Sequence, residues 1–150
     1  MNGQKEIAEK AVNRFRGGYH CAESVLMTMQ EALGIKSSVI PKIATGFGGG
    51  IGRQGSICGA VSGSIMSIGL KYGRMKPQGD KEKAYTLAQE FCKEFKGKFG
   101  SILCYDLTEC DFTTPEGQKK FEDLNIKEEK CVKFVREAIN ILWDLMGKQE

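Results

Sequence analysis

Apolar residues recur every three to four positions along nearly the whole chain, and no stretch alternates convincingly between apolar and polar residues. This period is typical of amphipathic α-helices, whereas a half-buried strand needs alternation. The first two predicted helices end at Gly17-Gly18 and at Gly34. Their apolar positions are Ile7, Ala8, Ala11, Val12 and Phe15, and then Ala22, Val25, Leu26, Met29 and Leu33. The sequence therefore predicts an all-α, compact helical bundle of about five to six helices, one domain over residues 1–150.

Capping residues and glycines predict the limits of the later elements. Ser37 or Ser38 is expected to cap a short third helix that has Pro41 in its first turn. Asp80 is the expected N-cap of a long helix that extends to about residue 99. Residues 101–125 look irregular, apart from a turn or short helix that begins in 113–117. Asn125, with Glu128 three residues later, resembles a capping box at the start of the last helix.

The helix predicted from about Gln54 to Tyr72 carries small residues on one face, including Gly59 and Gly63. Each interior glycine costs a helix about 1 kcal/mol relative to alanine. Two of them indicate that something approaches the backbone closely. Tight helix packing and a cofactor lying against the helix both explain this, and the same face could form a homodimer seam.

A glycine-rich loop, 46–52, precedes that helix, and its Gly50, Gly52 and Gly55 match G-x-G-x-x-G by letter. A dinucleotide site needs a preceding strand and a later acidic residue, and here a helix precedes while residues 71–76 are basic. Backbone N–H groups of such a loop can instead bind an anionic metal–sulfur centre or a phosphate. The predicted cofactor-binding glycines are Gly48, Gly49, Gly50, Gly52, Gly59 and Gly63.

Six cysteines are scattered through the chain without a Cys-x-x-Cys pair. Cys21 and Cys58 stand where helices are predicted to begin, so the helix dipole is expected to lower the pKa of both thiols. Cys104 and Cys110 lie in the irregular region, where a loop can bring both sulfurs to one point. Cys131 begins the apolar face of the last helix. The sixth, Cys92, lies mid-helix and is interpreted as core packing.

Composition excludes several classes of function. The net charge is only +3 and no arginine–aromatic stripe is present, so we expect no nucleic-acid partner. No apolar run reaches the ~20 residues of a membrane span, and the N-terminal segment lacks the apolar core of a signal peptide. A cytoplasmic location is expected. His20 is the single histidine, which excludes multi-histidine metal sites and a Ser-His-Asp triad.

The combined landmarks resemble the C_GCAxxG_C_C family of redox-active proteins. The resemblance runs from about Gly17 to Leu145 and depends on Gly18–Leu26, Gly46–Arg53, Cys58–Gly63, Gly100–Cys104, Cys110-Asp111, Thr114–Gly117 and Cys131–Val135. A similar domain is associated with split-Soret-type cytochromes, which implies electron transfer and an iron–sulfur centre. The family cysteines correspond to Cys21, Cys58, Cys104, Cys110 and Cys131. Haem is not implied, because the attachment sequence is absent.

Four hypotheses remain open. The first is an iron–sulfur protein that uses three or four of these five cysteines as metal ligands and exchanges electrons with a redox partner protein. The second is a thiol–disulfide oxidoreductase in which Cys58 and Cys21 are the catalytic thiols. The third is a structural zinc protein. The fourth is a helical interaction module with unreactive cysteines.

Overall fold

The computed structural model describes residues 3–147, and within them the chain is helical without a strand. The α-helices are α1 (Gln4–Arg16), α2 (Cys21–Ala32), α3 (Gly59–Tyr72), α4 (Glu82–Phe99), α5 (Cys104–Thr108), α6 (Pro115–Asp123) and α7 (Val132–Gly147). A 3₁₀ helix (Lys42–Phe47) precedes α3, and a π segment (Lys127–Cys131) leads into α7. The all-α prediction is confirmed. The helices outnumber the expected five to six, because α5 and α6 lie in the region interpreted as irregular.

Helix α7 lies at the centre of the hydrophobic core. It packs against α1, α3 and α4, while α2 packs mainly on α3. Its Val135, Ala138, Ile139 and Leu142 are fully buried. The largest fully buried side chains elsewhere are Phe91 and Phe95 of α4, Leu26 and Val25 of α2, Val12 of α1, and Val61 and Ile68 of α3. The apolar periodicity of these helices therefore matches the faces that the core buries.

The helix starts differ from the predicted caps. Lys81, not Asp80, is the N-cap of α4, although the Asp80 carboxylate accepts the Glu82 N–H at 3.0 Å. Thr114, which was not predicted as a cap, is the N-cap of α6, and its hydroxyl accepts the Gly117 N–H at 3.0 Å. The capping box of Asn125 and Glu128 does not form. Asn125 has a left-handed φ of 52°, and the Glu128 carboxylate instead pairs with Arg16 of α1. Long-range pairing to a guanidinium decides this side chain's position, and local spacing could not indicate it.

The elements before α3 differ from the prediction in their limits. The N-cap of the 3₁₀ helix is Pro41, so the prediction of a cap at Ser37 or Ser38 with Pro41 in the first turn is wrong. That helix also includes Gly46 and Phe47, which were expected in the loop. Helix α3 begins at Gly59, not near Gln54, and Cys58 is its N-cap. Between the 3₁₀ helix and α3, residues 49–53 adopt a left-handed turn. Only a glycine-rich segment adopts such a turn readily.

The face of α3 that carries small residues is the contact surface for α2. A Cβ added to Gly59 would lie 2.9 Å from the Ala22 nitrogen, and one added to Gly63 would lie 2.7 Å from the Ala22 carbonyl oxygen. Both distances are shorter than the 3.4–4 Å of an ordinary van der Waals contact between a Cβ and another heavy atom. Helix packing thus accounts for these two glycines, and the crossing places the start of α2 beside the start of α3.

Candidate metal centre

Four of the six cysteines line one cavity of about 550 Å³. Cys21 is the first residue of α2, Cys58 is the N-cap of α3, and Cys104 is the first residue of α5. Cys131 is the last residue of the π segment. Four separate elements therefore bring their ends, each carrying a cysteine, to a common space.

A short antiparallel contact holds Cys58 beside Cys104. The Cys58 N–H donates to the Ile102 carbonyl at 2.8 Å, and the Cys104 N–H donates to the Ser56 carbonyl at 2.7 Å. Ile57 and Leu103 form the bridge between these bonds. Because backbone hydrogen bonds set the register, the two cysteines stay neighbours without help from their side chains.

The crossing of α2 and α3 places Cys21 next to this pair. A Cβ on Gly59, the residue after Cys58, would lie only 3.0 Å from the Cys21 Cβ. Any larger residue at position 59 would push Cys21 away. The Cys58-Gly59 pair thus supplies one sulfur, that of Cys58, and leaves the space that Cys21 needs to bring a second sulfur beside it.

Cys131 reaches the cavity from the opposite end of the sequence, in a single π turn before α7. π turns are rare and occur frequently at functional sites, since they shift the side chains that follow. Cys131 is 7% exposed, and Val132, the next residue, is buried in the core. The turn therefore allows one helix to point a cysteine at the cavity and still bury its apolar face.

The remaining two cysteines lie elsewhere. Cys110 is fully buried, does not line the cavity, and its thiol donates to the Thr108 carbonyl at 3.3 Å. It is still near enough to Cys104 and Cys131 to help raise the pKa of both thiols. Cys92 lies on α4, packed against the core away from the cavity, in agreement with its interpretation as core packing.

The glycine loop forms a left-handed turn along the cavity wall. Five consecutive residues have positive φ: Gly49 (62°), Gly50 (67°), Ile51 (64°), Gly52 (56°) and Arg53 (68°). A left-handed β-branched isoleucine is a strained conformation, and such strain clusters at functional sites. The turn is built around backbone hydrogen bonds, among them Gly52 N–H to Gly46 C=O at 2.9 Å.

This turn leaves fewer donors for a ligand than the sequence suggested. The N–H groups of residues 51–56 all donate to backbone carbonyls, so Gly52 has none to offer. Within residues 3–147, the N–H groups of Gly49 and Gly50 make no backbone hydrogen bond. Both glycines line the cavity, and a Cβ on Gly50 would lie 2.5 Å from the Cys104 Cβ.

Five of the six expected cofactor-binding glycines line the cavity: Gly48, Gly49, Gly50, Gly52 and Gly59. Gly63 does not, because it faces the backbone of Ala22. His20 also lines the cavity as the N-cap of α2. Its backbone N–H donates to the Glu23 carboxylate at 2.9 Å, which fixes the start of that helix.

Burial raises the pKa of the cavity thiols, so the expectation of lowered values is wrong for this protein without metal. The pKa of Cys58 rises to about 12 because burial outweighs the opposing backbone N–H groups of Ala60 and Val61. Burial likewise raises the pKa of Cys104 to about 11, and raises those of Cys21 and Cys131 further. Each cysteine at a helix start is desolvated more strongly than the helix dipole can offset.

The sulfurs do not converge on a single-ion site. Among residues 3–147, no three side chains of histidine, cysteine, aspartate or glutamate stand close enough together to hold one metal ion. The cysteines share the lining of one cavity without forming a compact group of ligands.

The aromatic wall of the cavity was not predicted. Phe15, Phe112, Phe121 and Phe134 line it, and the rings of Phe112 and Phe121 pack edge-on at 5.0 Å. Phe121 belongs to α6, which the sequence predicts only as a turn or short helix. The spacing of Gly117, which is buried, and Phe121 at i and i+4 after the Thr114 cap was the available signal.

Comparison with known proteins shows the family of this chain. The family model described as "Putative redox-active protein (C_GCAxxG_C_C)" matches residues 19–145. The chain belongs to the C_GCAxxG_C_C family. A relative in this comparison is an Archaeoglobus fulgidus protein named "Uncharacterized protein", 32% identical over 161 aligned residues that cover 97% of this chain and 99% of the relative. No solved structure matches this C_GCAxxG_C_C protein.

In residues 3–147 of this C_GCAxxG_C_C protein, no helix has the length and hydrophobicity needed to cross a membrane.

Proposed function

We propose that the protein binds an iron–sulfur cluster through Cys21, Cys58, Cys104 and Cys131 and transfers electrons to or from a redox partner protein. The observation that carries the proposal is the shared cavity: four cysteines from four elements face one space. Four cysteines are the usual ligand set of [2Fe–2S] and [4Fe–4S] clusters. Cys110, the fifth cysteine that the resemblance implies, is not assigned as a ligand.

The donor chemistry supports a soft metal centre. Thiolates select iron–sulfur clusters, zinc and copper(I), whereas carboxylate sites suit harder cations. Besides the four sulfurs, the lining contains one carboxylate, that of Glu122, and one imidazole, that of His20. The set therefore matches the ligands that a cluster requires.

The surrounding residues have defined roles around such a group. The N–H groups of Gly49 and Gly50 can donate to sulfur, and hydrogen bonds to sulfur tune a cluster's reduction potential. The phenylalanine side chains add apolar surface beside the sulfurs, and such surface limits solvent access to a metal site. Because the thiols are neutral at pH 7, binding must release their protons. When bound, the cluster supplies a one-electron carrier.

Two alternatives receive less support. A tetrahedral zinc site with Zn–S bonds of about 2.3 Å holds its sulfurs about 3.8 Å apart, and no such group converges among residues 3–147. A catalytic thiol needs thiolate at neutral pH. Burial raises the pKa of both Cys58 and Cys21, so the oxidoreductase hypothesis lacks an activated nucleophile.

Anaerobic reconstitution with iron and sulfide tests the proposal. We expect broad visible absorption and near-equal iron and sulfide contents in the wild-type protein. Cys58→Ser should lose the absorption, because it removes one of the four proposed ligands. Cys110→Ser and Cys92→Ser are the matched controls, since neither sulfur lines the cavity, and both should keep it.

Three results would contradict the assignment: zinc alone in the purified protein, a Cys58→Ser variant with an unchanged spectrum, or equal loss of absorption in Cys110→Ser. A reversible one-electron reduction of the reconstituted protein, followed by potentiometric titration, tests electron transfer separately from binding.

A further inference from the structure

The cavity is larger than a cluster needs. At about 30 Å³ an atom, the share that a water molecule takes in the liquid, the eight inorganic atoms of a [4Fe–4S] core fill about 240 Å³. The cavity measures about 550 Å³. More than half of it would remain, which is room for a molecule of about ten non-hydrogen atoms. This step of the reasoning rests on the proposed function.

A cationic side chain on the same lining is held in a costly conformation. Arg53 has φ 68°, a left-handed value that favours glycine and asparagine over arginine. Its stem packs on Gly49, where an added Cβ would lie 3.0 Å from the Arg53 Cγ and 2.8 Å from its Cα. The missing side chain at Gly49 thus makes room for Arg53 beside the cavity.

The guanidinium of Arg53 has no protein partner that would explain this arrangement. Within residues 3–147 it forms neither an ion pair nor a side-chain hydrogen bond, and Glu122, the carboxylate on the lining, is not paired with it. By contrast Arg14, Arg16, Arg74 and Arg136 each donate to a protein oxygen. The Arg53 side chain is exposed to solvent on the cavity lining, so its guanidinium is free to bind an oxyanion through two parallel charge-assisted hydrogen bonds.

Further hydrogen-bonding groups surround the same space. His20 and Gln118 line the cavity, as does Thr45, whose hydroxyl donates to the Glu23 carboxylate at 2.9 Å. A Cβ on Gly48 would lie 3.6 Å from the His20 Cγ. The Gln118 amide is already oriented by its hydrogen bond to the Phe112 carbonyl at 2.8 Å. A mostly apolar wall with a few polar groups is typical of small-molecule sites.

We infer that the cavity binds a small oxyanion, a carboxylate or a phosphate-like group on a molecule of about ten non-hydrogen atoms, with Arg53 as its anchor beside the cysteine centre.

The test is a titration of the protein with small anions, followed by the NMR signals of the single histidine. Because His20 lies on the cavity lining and is the only histidine, its ring NMR signals report on this site alone. Sodium acetate and sodium phosphate are the probes, each against sodium chloride at matched ionic strength. We expect saturable shifts with at least one probe, and which probe saturates distinguishes carboxylate from phosphate recognition.

Variants separate this site from the metal centre. Arg53→Gln should weaken binding of the saturating probe about tenfold or more, in line with loss of a charge-assisted pair, and should keep the visible absorption of the reconstituted protein. Arg74 lies outside the cavity, so Arg74→Gln should change neither the binding of the probe nor the visible absorption. Titration of the metal-free protein tests whether the anion binds at this site even if no cluster forms. Shifts that never saturate with either probe, or that are identical in Arg53→Gln, would overturn the inference.

Discussion

The contact between α2 and α3 can be tested at Gly63. Gly63→Ala places a methyl group 2.7 Å from the Ala22 carbonyl oxygen and 3.0 Å from its Cα, where ordinary contacts begin near 3.4 Å. Backbone atoms cannot rotate away as a side chain would, so α2 must move by several tenths of an ångström. Since Cys21 is the first residue of α2, the movement also displaces one sulfur from the cavity.

Gly69→Ala is the matched control within the same helix. Nothing lies within 4 Å of the Cβ that it adds, so this variant gains only the helix propensity of alanine, about 1 kcal/mol. Gly63→Ala gains the same propensity but adds an overpacking cost of about 1–3 kcal/mol. The difference in unfolding free energy between the variants is therefore about 1–3 kcal/mol, and each kcal/mol shifts Tm by about 2–4 °C for a chain of this length.

Thermal unfolding followed by circular dichroism measures this difference, and iron content after reconstitution measures its consequence for the proposed metal centre. Gly63→Ala should unfold several degrees below Gly69→Ala and load less iron. Equal melting temperatures and equal loading would show that the close approach of α2 to α3 is not needed, and the packing argument would be wrong.

Three further predictions concern the loop, the thiols and a cap. Gly50→Ala should lose cluster loading while Gly52→Ala keeps it, because both residues have left-handed φ but only the first Cβ meets Cys104, at 2.5 Å; iron analysis of both variants checks this, and equal loading would refute it. Cys58 and Cys104 together should cost the metal-free protein about 3 kcal/mol of stability by pH 10, because they keep their protons up to pKa values of about 12 and 11 when folded but lose them near 9.0 when unfolded. Cys21 and Cys131, whose pKa values burial also raises, should add to that loss. Urea unfolding at pH 7 and pH 10 measures this loss, and a flat profile would mean that the thiols are not desolvated. Thr114→Ala should cost about 1 kcal/mol through loss of the α6 cap, and an unchanged urea midpoint would contradict that role.

Local chemistry predicted much of the fold. The apolar periodicity of α7 depends on residues within a few positions of one another, and the structure buries the face that the sequence indicated. The N-cap of α4 was predicted to within one residue, at Asp80 instead of Lys81. The capping box at Asn125 failed because Glu128 is held by Arg16, more than a hundred positions away in the chain. Helix α5 was missed because it is only five residues long and its start depends on pairing with 55–58.

The sequence by itself determined the helical class, the glycines that a left-handed turn requires and the set of cysteines from which a metal centre could be drawn. Only the tertiary structure decided that Cys21, Cys58, Cys104 and Cys131 share a cavity and that Cys110 stands outside it. It also reversed the expected direction of the thiol pKa values. The physical reason is that helix formation and capping act over a few residues, whereas desolvation and the meeting of distant sulfurs depend on how whole helices pack.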